Sequence, residues 1–246
     1  MKNVSNLGEV SQTFALYCLG AALSQIVGTG LLLSLFGERN FAIGITYSKT
    51  ESLLTAFFGW VLFYEQLPMM GLFAILVGVT GVMLVSLVDD RLNLSNIMRA
   101  VTSKVAFKGL LCGTAFSFAG LLIRQATLTL SGSFMMSAAF ALLFVLSIQS
   151  LALGSWIVFK DRQSFSAILQ QWKPCAIVGL TSSLGSIGWF TAFALTNVAY
   201  VKTVGQIELL FSAIVTHHFF KEKISKTETV GMLFVVGSIV LLVFSI

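Results

Sequence analysis

Eight runs of about twenty predominantly apolar residues follow one another along this chain, parted by short polar breaks. They cover roughly 13–36, 41–64, 68–88, 106–127, 134–159, 175–195, 198–220 and 229–246. A helix of that length crosses the hydrocarbon core of a bilayer with all its backbone N–H and C=O groups bonded internally. The runs lack the alternating apolar and polar residues of barrel strands. The fold class that follows is an all-α polytopic membrane protein with about eight transmembrane helices. Composition closes the water-soluble alternative. Only 10% of residues are charged and 57% are hydrophobic, whereas a soluble domain carries roughly 25% charge. Two prolines in 246 residues suit continuous helices.

The net charge of +5 comes from Lys and Arg residues that lie mostly between the apolar runs, where they set topology. It is no nucleic-acid footprint, and no nucleic-acid partner is expected. Cys18, Cys112 and Cys175 are scattered and form no CxxC or Cys/His cluster. No Walker loop, GxGxxG, GxSxG or HExxH occurs. Neither a metal nor another cofactor is expected, and any pumping must draw on a gradient instead of ATP. The polar stretch Met1 to Thr13 precedes a run too long for a signal-peptide core.

An internal repeat organises the chain. An offset of 157 residues carries Glu51 onto Glu208 and Glu65 onto Glu222 without a gap. The same offset carries Asn40 onto Asn197, Thr46 onto Thr203, Ala56 onto Ala213 and Gly28 onto Gly185. Runs one to three therefore correspond to runs six to eight. The expected domains are a first repeat over 1–90 with three helices, a polar linker over 91–104, and a second repeat over 105–246 with five. The first repeat lacks its first two helices, so either the protein is an eight-helix variant or the chain starts two helices late. Units with an odd number of helices alternate in orientation, which gives inverted repeats with a solute site near the midplane between them.

Glu51 and Glu208 each lie about ten residues into an apolar run, near half the hydrocarbon depth. An isolated carboxylate there is costly, so each is expected to pair with a cation or to hold a proton. Fixing helix packing through hydrogen bonds is the alternative role. Lys49 precedes Glu51 by two residues and points to another face of the helix, free to reach a different helix. Lys202 and Gln206 share a face four residues apart; Lys202 lies near a helix end, where snorkelling to the interface is the alternative. Glu51, Glu208, Lys49, Lys202 and Gln206 are the candidate solute- or proton-binding residues. Arg124 reads as a topological anchor, and Glu65 and Glu222 as caps beside short turns. The small residues Gly78, Gly81, Gly109, Gly113 and Ser182 to Gly188 read as faces for close helix contact.

Two segments resemble a known family. Phe63-Tyr64-Glu65-Gln66-Leu67 followed by the apolar helix Gly78 to Val85, and Phe220-Lys221-Glu222-Lys223-Ile224 followed by Gly231 to Val243, are similar to the closing pattern of the EamA-type transporters of the drug/metabolite transporter superfamily. Tyr64 and Lys221 stand where that pattern usually has glycine. The resemblance implies ten helices in two inverted five-helix repeats and transport of small organic solutes. It also implies cytoplasmic termini, whereas the basic loops led by Lys104, Lys108, Lys160, Arg162 and Lys173 imply the reverse.

The function expected is a secondary active exporter or exchanger of an amino acid, metabolite or drug, in the inner (plasma) membrane. It would work by alternating access on a proton or cation gradient, with the lipid bilayer and a small-molecule solute as partners; a homodimer is left open. The rivals are a structural or assembly subunit, an inactive fragment, and a lipid-modifying enzyme built on His217, His218, Lys221 and Glu222.

Overall fold

A computed structural model describes residues 11–38, 41–86, 103–219, 221 and 225–245. Most of the expected linker 91–104 lies outside the described residues, as do Asn40 and Glu222. The described residues form helices and turns. The helices are α1 (Gln12–Phe36), α2 (Phe41–Ser48), α3 (Glu51–Phe63), α4 (Met69–Ser86), α5 (Lys104–Leu128), α6 (Phe134–Lys160), α7 (Arg162–Gln170), α8 (Trp172–Leu195), α9 (Val198–Gly205), α10 (Glu208–Phe219) and α11 (Lys226–Val243).

The expected count of about eight spans is not confirmed, and two of the apolar runs are broken. Among the described residues six stretches are long and apolar enough to cross a membrane, Val198–Val215 being one of them, with Met69–Val85 a shorter apolar helix. The run at 41–63 is divided at Lys49-Thr50 into helices of 8 and 13 residues. The run at 198–219 is divided at the repeat-equivalent pair, Gln206-Ile207. Both breaks tighten the ladder to three-residue spacing: Thr50 N–H donates to Tyr47 O at 3.2 Å, Gln206 N–H to Thr203 O at 3.2 Å and Ile207 N–H to Val204 O at 3.1 Å. Hydroxyls take up further carbonyls at the first break, Ser48 Oγ donating to Ile45 O and Thr50 Oγ1 to Tyr47 O, each at 2.7 Å. Part of the backbone hydrogen bonding lost at the bends is thereby recovered.

Two compact units form. One contains the described part of Met1–Ile26 with Ala119–Thr196; the other contains Val27–Phe118 with the described part of Asn197–Ile246. In the first unit Phe14 is fully buried between Phe140 and Phe144, at ring-centroid distances of 5.5 and 5.4 Å. Gln149 Nε2 donates to Gln25 Oε1 at 2.7 Å, so two lone amides satisfy each other. Arg124 is more than a topological anchor. Its guanidinium donates to Phe193 O and Thr196 O at 2.7 and 2.6 Å, closing the carbonyl end of α8. Among the described residues no close neighbour meets Gly185 or Gly188, which have no atom within 4 Å of a Cβ position, and α8 is exposed along most of its length.

The second unit is built on the crossing of α4 and α11, which the 157-residue offset maps onto each other. A Cβ at Gly81 would stand 2.7 Å from Gly231 O, and a Cβ at Gly231 would stand 2.7 Å from Gly81 O. Gly78 faces Ser238 while Val85 faces Gly231, so the two helices run antiparallel. Lipid tails are as apolar as Leu, so close backbone approach replaces the hydrophobic effect as the source of helix association. Ala56, Ile75, Val79, Tyr200 and Leu242 fill the space beside the crossing.

Each repeat's second half-helix is followed by a left-handed residue. Tyr64 and Lys221, again 157 residues apart, both have φ of 54°. Tyr64 caps α3, its N–H and that of Glu65 both donating to Gly59 O. This is the physical content of the glycine usual at these positions, since a Cβ there costs roughly 1–2 kcal/mol. Tyr64→Gly should therefore stabilise the purified protein by up to about 1 kcal/mol once the greater freedom of the unfolded chain is counted, read as a higher melting temperature; a drop would show that the Tyr64 ring contributes more than its backbone costs. Gly81→Ala should destabilise by about 1–3 kcal/mol through the forced separation of α4 and α11. Gly237→Ala, which meets nothing within 4 Å inside α11, should stabilise by up to about 1 kcal/mol in the same thermal scan.

Candidate functional site

The breaks decide where the two intramembrane carboxylates sit. Glu51 is the first residue of α3 and Glu208 the first of α10. A helix start presents unpaired N–H groups and a partial positive charge, which favour a carboxylate within the first turn. An unbroken helix would have given Glu51 and Glu208 no such field.

Each carboxylate meets a lysine from the other copy of the repeat. Lys202 Nζ lies 3.2 Å from Glu51 Oε2. Lys49 donates to the Glu208 carboxylate. The pairing is crossed, since α2 serves α10 and α9 serves α3. It is also unequal in burial, with side-chain exposures of 11% and 23% for Lys202 and Glu51 against 27% and 56% for Lys49 and Glu208. Each carboxylate thus has a cation within reach, as one of the two expected roles requires. Lys202 does not simply snorkel: its ammonium also lies 5.8 Å from the Phe116 ring centroid.

Gln206, the repeat equivalent of Lys49, completes the arrangement. Its Nε2 donates to the buried Ser52 Oγ at 3.1 Å, beside Glu51. All five expected residues are thus brought to the two breaks. Gln206 Oε1 and Tyr200 Oη are buried without a hydrogen-bond partner among the described residues. Such an atom costs about 1–3 kcal/mol and calls for an explanation such as a ligand or water.

The small-residue face expected on α5 receives the first break, and sequence reasoning missed how far it extends. Gly109, Gly113 and Ser117 recur every four residues and stack on one stripe. A Cβ at Gly109 would collide with Gly44 O, and one at Gly113 would stand 2.8 Å from Ser48 O. Ser117 Oγ, one turn on, lies 2.9 Å from Glu51 O and 2.7 Å from Gly113 O. The Gly109xxxGly113 spacing was visible; that Ser117 extended it to a carbonyl of the break was not. Glu65 accepts from Asn197 Nδ2 at 2.7 Å while Asn197 Oδ1 accepts from Ala199 N–H at 2.9 Å, so Glu65 acts through the N-cap of α9. Glu38 pairs with Lys108. His217 and His218 are exposed near the end of α10 with rings 6.2 Å apart, away from the break that begins that helix.

The profile of the EamA-like transporter family matches residues 103–244, more than half of the chain. No curated protein matches the chain.

Removing one partner of a largely buried ion pair leaves the other charge uncompensated, whereas removing both is far milder. Lys202→Met should destabilise by about 3 kcal/mol, and Lys202→Met with Glu51→Met should recover most of that loss. Lys49→Met, in the more exposed pair, should cost about 1 kcal/mol or less. A double-mutant cycle on thermal unfolding in detergent measures all three. Additive losses for Lys202 and Glu51 would mean that their proximity carries no coupling.

Proposed function

The chain belongs to the EamA-like transporter family, within the drug/metabolite transporter superfamily, and from that premise we propose that it is a secondary active transporter exporting or exchanging a small organic solute by alternating access. Members of this family are membrane transporters of small solutes. The finer reading concerns the route, the driving force and the residues. The repeats 1–90 and 105–246 each supply one broken helix, and the solute occupies the region of the two breaks. The host membrane in this reading is the inner (plasma) membrane.

The single observation that carries the reading is the crossed pairing of Glu51 with Lys202 and Glu208 with Lys49. Two cations and two anions leave the breaks neutral in sum while every charge remains exchangeable. A solute bearing its own ammonium and carboxylate can take the place of a partner in either pair, which puts amino acids first among the candidate solutes. Protonation of either glutamate releases its lysine, and a group that loses its partner on protonation couples a proton gradient to rearrangement of the breaks. The orphaned Gln206 Oε1 and Tyr200 Oη add a buried acceptor and a hydroxyl on the same half-helix and its end.

Purified protein in liposomes preloaded with labelled amino acids, under an imposed proton gradient, tests this reading. Efflux should follow the gradient, and Glu51→Gln or Glu208→Gln should slow the initial rate on the order of tenfold or more, equivalent to at least about 1.4 kcal/mol in the barrier. His217→Ala and His218→Ala should leave it unchanged. Full activity in the Glu51→Gln, Glu208→Gln double variant would remove both carboxylates from the mechanism.

A further inference from the structure

The connection between α6 and α8 carries a feature that transport at the breaks does not use. Helix α7 contains nine residues, Arg162–Gln170, and none of them is buried. Phe165, Ile168 and Leu169 fall on one face at helical spacing and are 41%, 42% and 59% exposed. Arg162 sits on the rim of that face, one turn before Phe165 and nearly two before Leu169, while Gln163, Ser166, Ala167 and Gln170 occupy the opposite side. This is a strongly amphipathic helix set between two spanning helices, so it lies at the level where the chain leaves and re-enters the bilayer.

Its flanks are built alike at both ends. Lys160 Nζ lies 5.9 Å from the Trp156 ring centroid, and Lys173 Nζ lies 5.9 Å from that of Trp172. Both indoles are exposed, at 63% and 61%. Indole rings settle at the headgroup level of a bilayer, and an ammonium held over each one is fixed at the same depth. Over 160–173 three cations, Lys160, Arg162 and Lys173, face one anion, Asp161. That anion is engaged by the helix it caps. Asp161 accepts from Ser164 Oγ at 2.6 Å and from Ser164 N–H at 3.1 Å as the N-cap of α7, and these bonds hold its carboxyl below the usual carboxylate range.

We propose that α7 and its two tryptophan–lysine flanks form a docking surface for an anionic phospholipid leaflet. The apolar face enters the acyl boundary, while Lys160, Arg162 and Lys173 engage phosphate-bearing headgroups. Charge complementarity selects this occupant over a zwitterionic leaflet, and the exposed aromatic and aliphatic side chains select a lipid surface over free phosphate in water.

The test uses the full chain in lipid nanodiscs with Trp172 as sole reporter, in a Trp60→Phe, Trp156→Phe, Trp189→Phe background. Quenching by acyl-brominated phosphatidylglycerol is compared with quenching by acyl-brominated phosphatidylcholine at the same mole fraction. The expected result is stronger quenching by the anionic lipid, corresponding to local enrichment of about fivefold per engaged cation. Lys160→Gln, Arg162→Gln and Lys173→Gln together should bring the two lipids level. Arg162→Gln alone, which leaves the Trp172–Lys173 contact intact, should give a partial fall. Equal quenching in the unsubstituted chain overturns the proposal, as does a preference that survives the triple substitution. An absence of quenching by either lipid places α7 outside the interface and overturns it as well.

Discussion

In a medium without water a charge must be neutralised by the protein itself, and the second unit is arranged around that requirement. Four ionisable side chains, Lys49, Glu51, Lys202 and Glu208, lie within apolar stretches, where an uncompensated charge is costly. The helix breaks place each carboxylate at a helix start, where the helix dipole favours a negative charge, and leave each lysine at the end of the preceding half-helix or just beyond it. Remove the breaks and the charges lose both their dipoles and their crossed geometry. The unequal burial of the two pairs gives the site one tighter and one looser bond.

The breaks in turn depend on glycine. Gly109 and Gly113 admit the carbonyls of Gly44 and Ser48, and Ser117 reaches the carbonyl of Glu51. Larger residues on that stripe would hold α5 away from the last turn of α2 and strand the groups that the bend exposes. The same logic acts between α4 and α11, where Gly81 and Gly231 let equivalent helices of the two repeats cross at backbone distance. Electrostatics sets what the second unit must contain, and small residues set how closely it can close around it.

Much of this was legible in the sequence because it rests on length and repetition. The apolar runs located most of the helices, and the 157-residue offset tied Glu51 to Glu208 and Tyr64 to Lys221 before any geometry was known. The breaks were not legible. Averaged over about twenty residues, hydropathy is blind to a local shift from four-residue to three-residue hydrogen bonds, and Ser48 and Thr50 are only weak signs of one. The crossed pairing was hidden for another reason. The lysines do not occupy equivalent positions, since the offset carries Lys49 onto Gln206 and Ile45 onto Lys202, so symmetry offered no guide to which carboxylate each would meet. The role of Arg124 as a cap of α8 escaped notice because its acceptors are backbone carbonyls about 70 residues away. Ser182 to Gly188 misled in the opposite sense: small residues allow a close neighbour but do not supply one.

The crossed pairing has a consequence for how the chain is made. Glu51 leaves the ribosome 151 residues before its partner Lys202, and Lys49 leaves 159 residues before Glu208. At about 5–20 residues per second that is roughly 8–30 s during which the first repeat carries an unneutralised acid and base. Until the second repeat arrives, the segment from Phe41 to Phe63 bears the cost of its uncompensated charged groups, about 2.5–3.5 kcal/mol for each one at mid-bilayer. The order of synthesis thus makes the first half of the protein a client of the second.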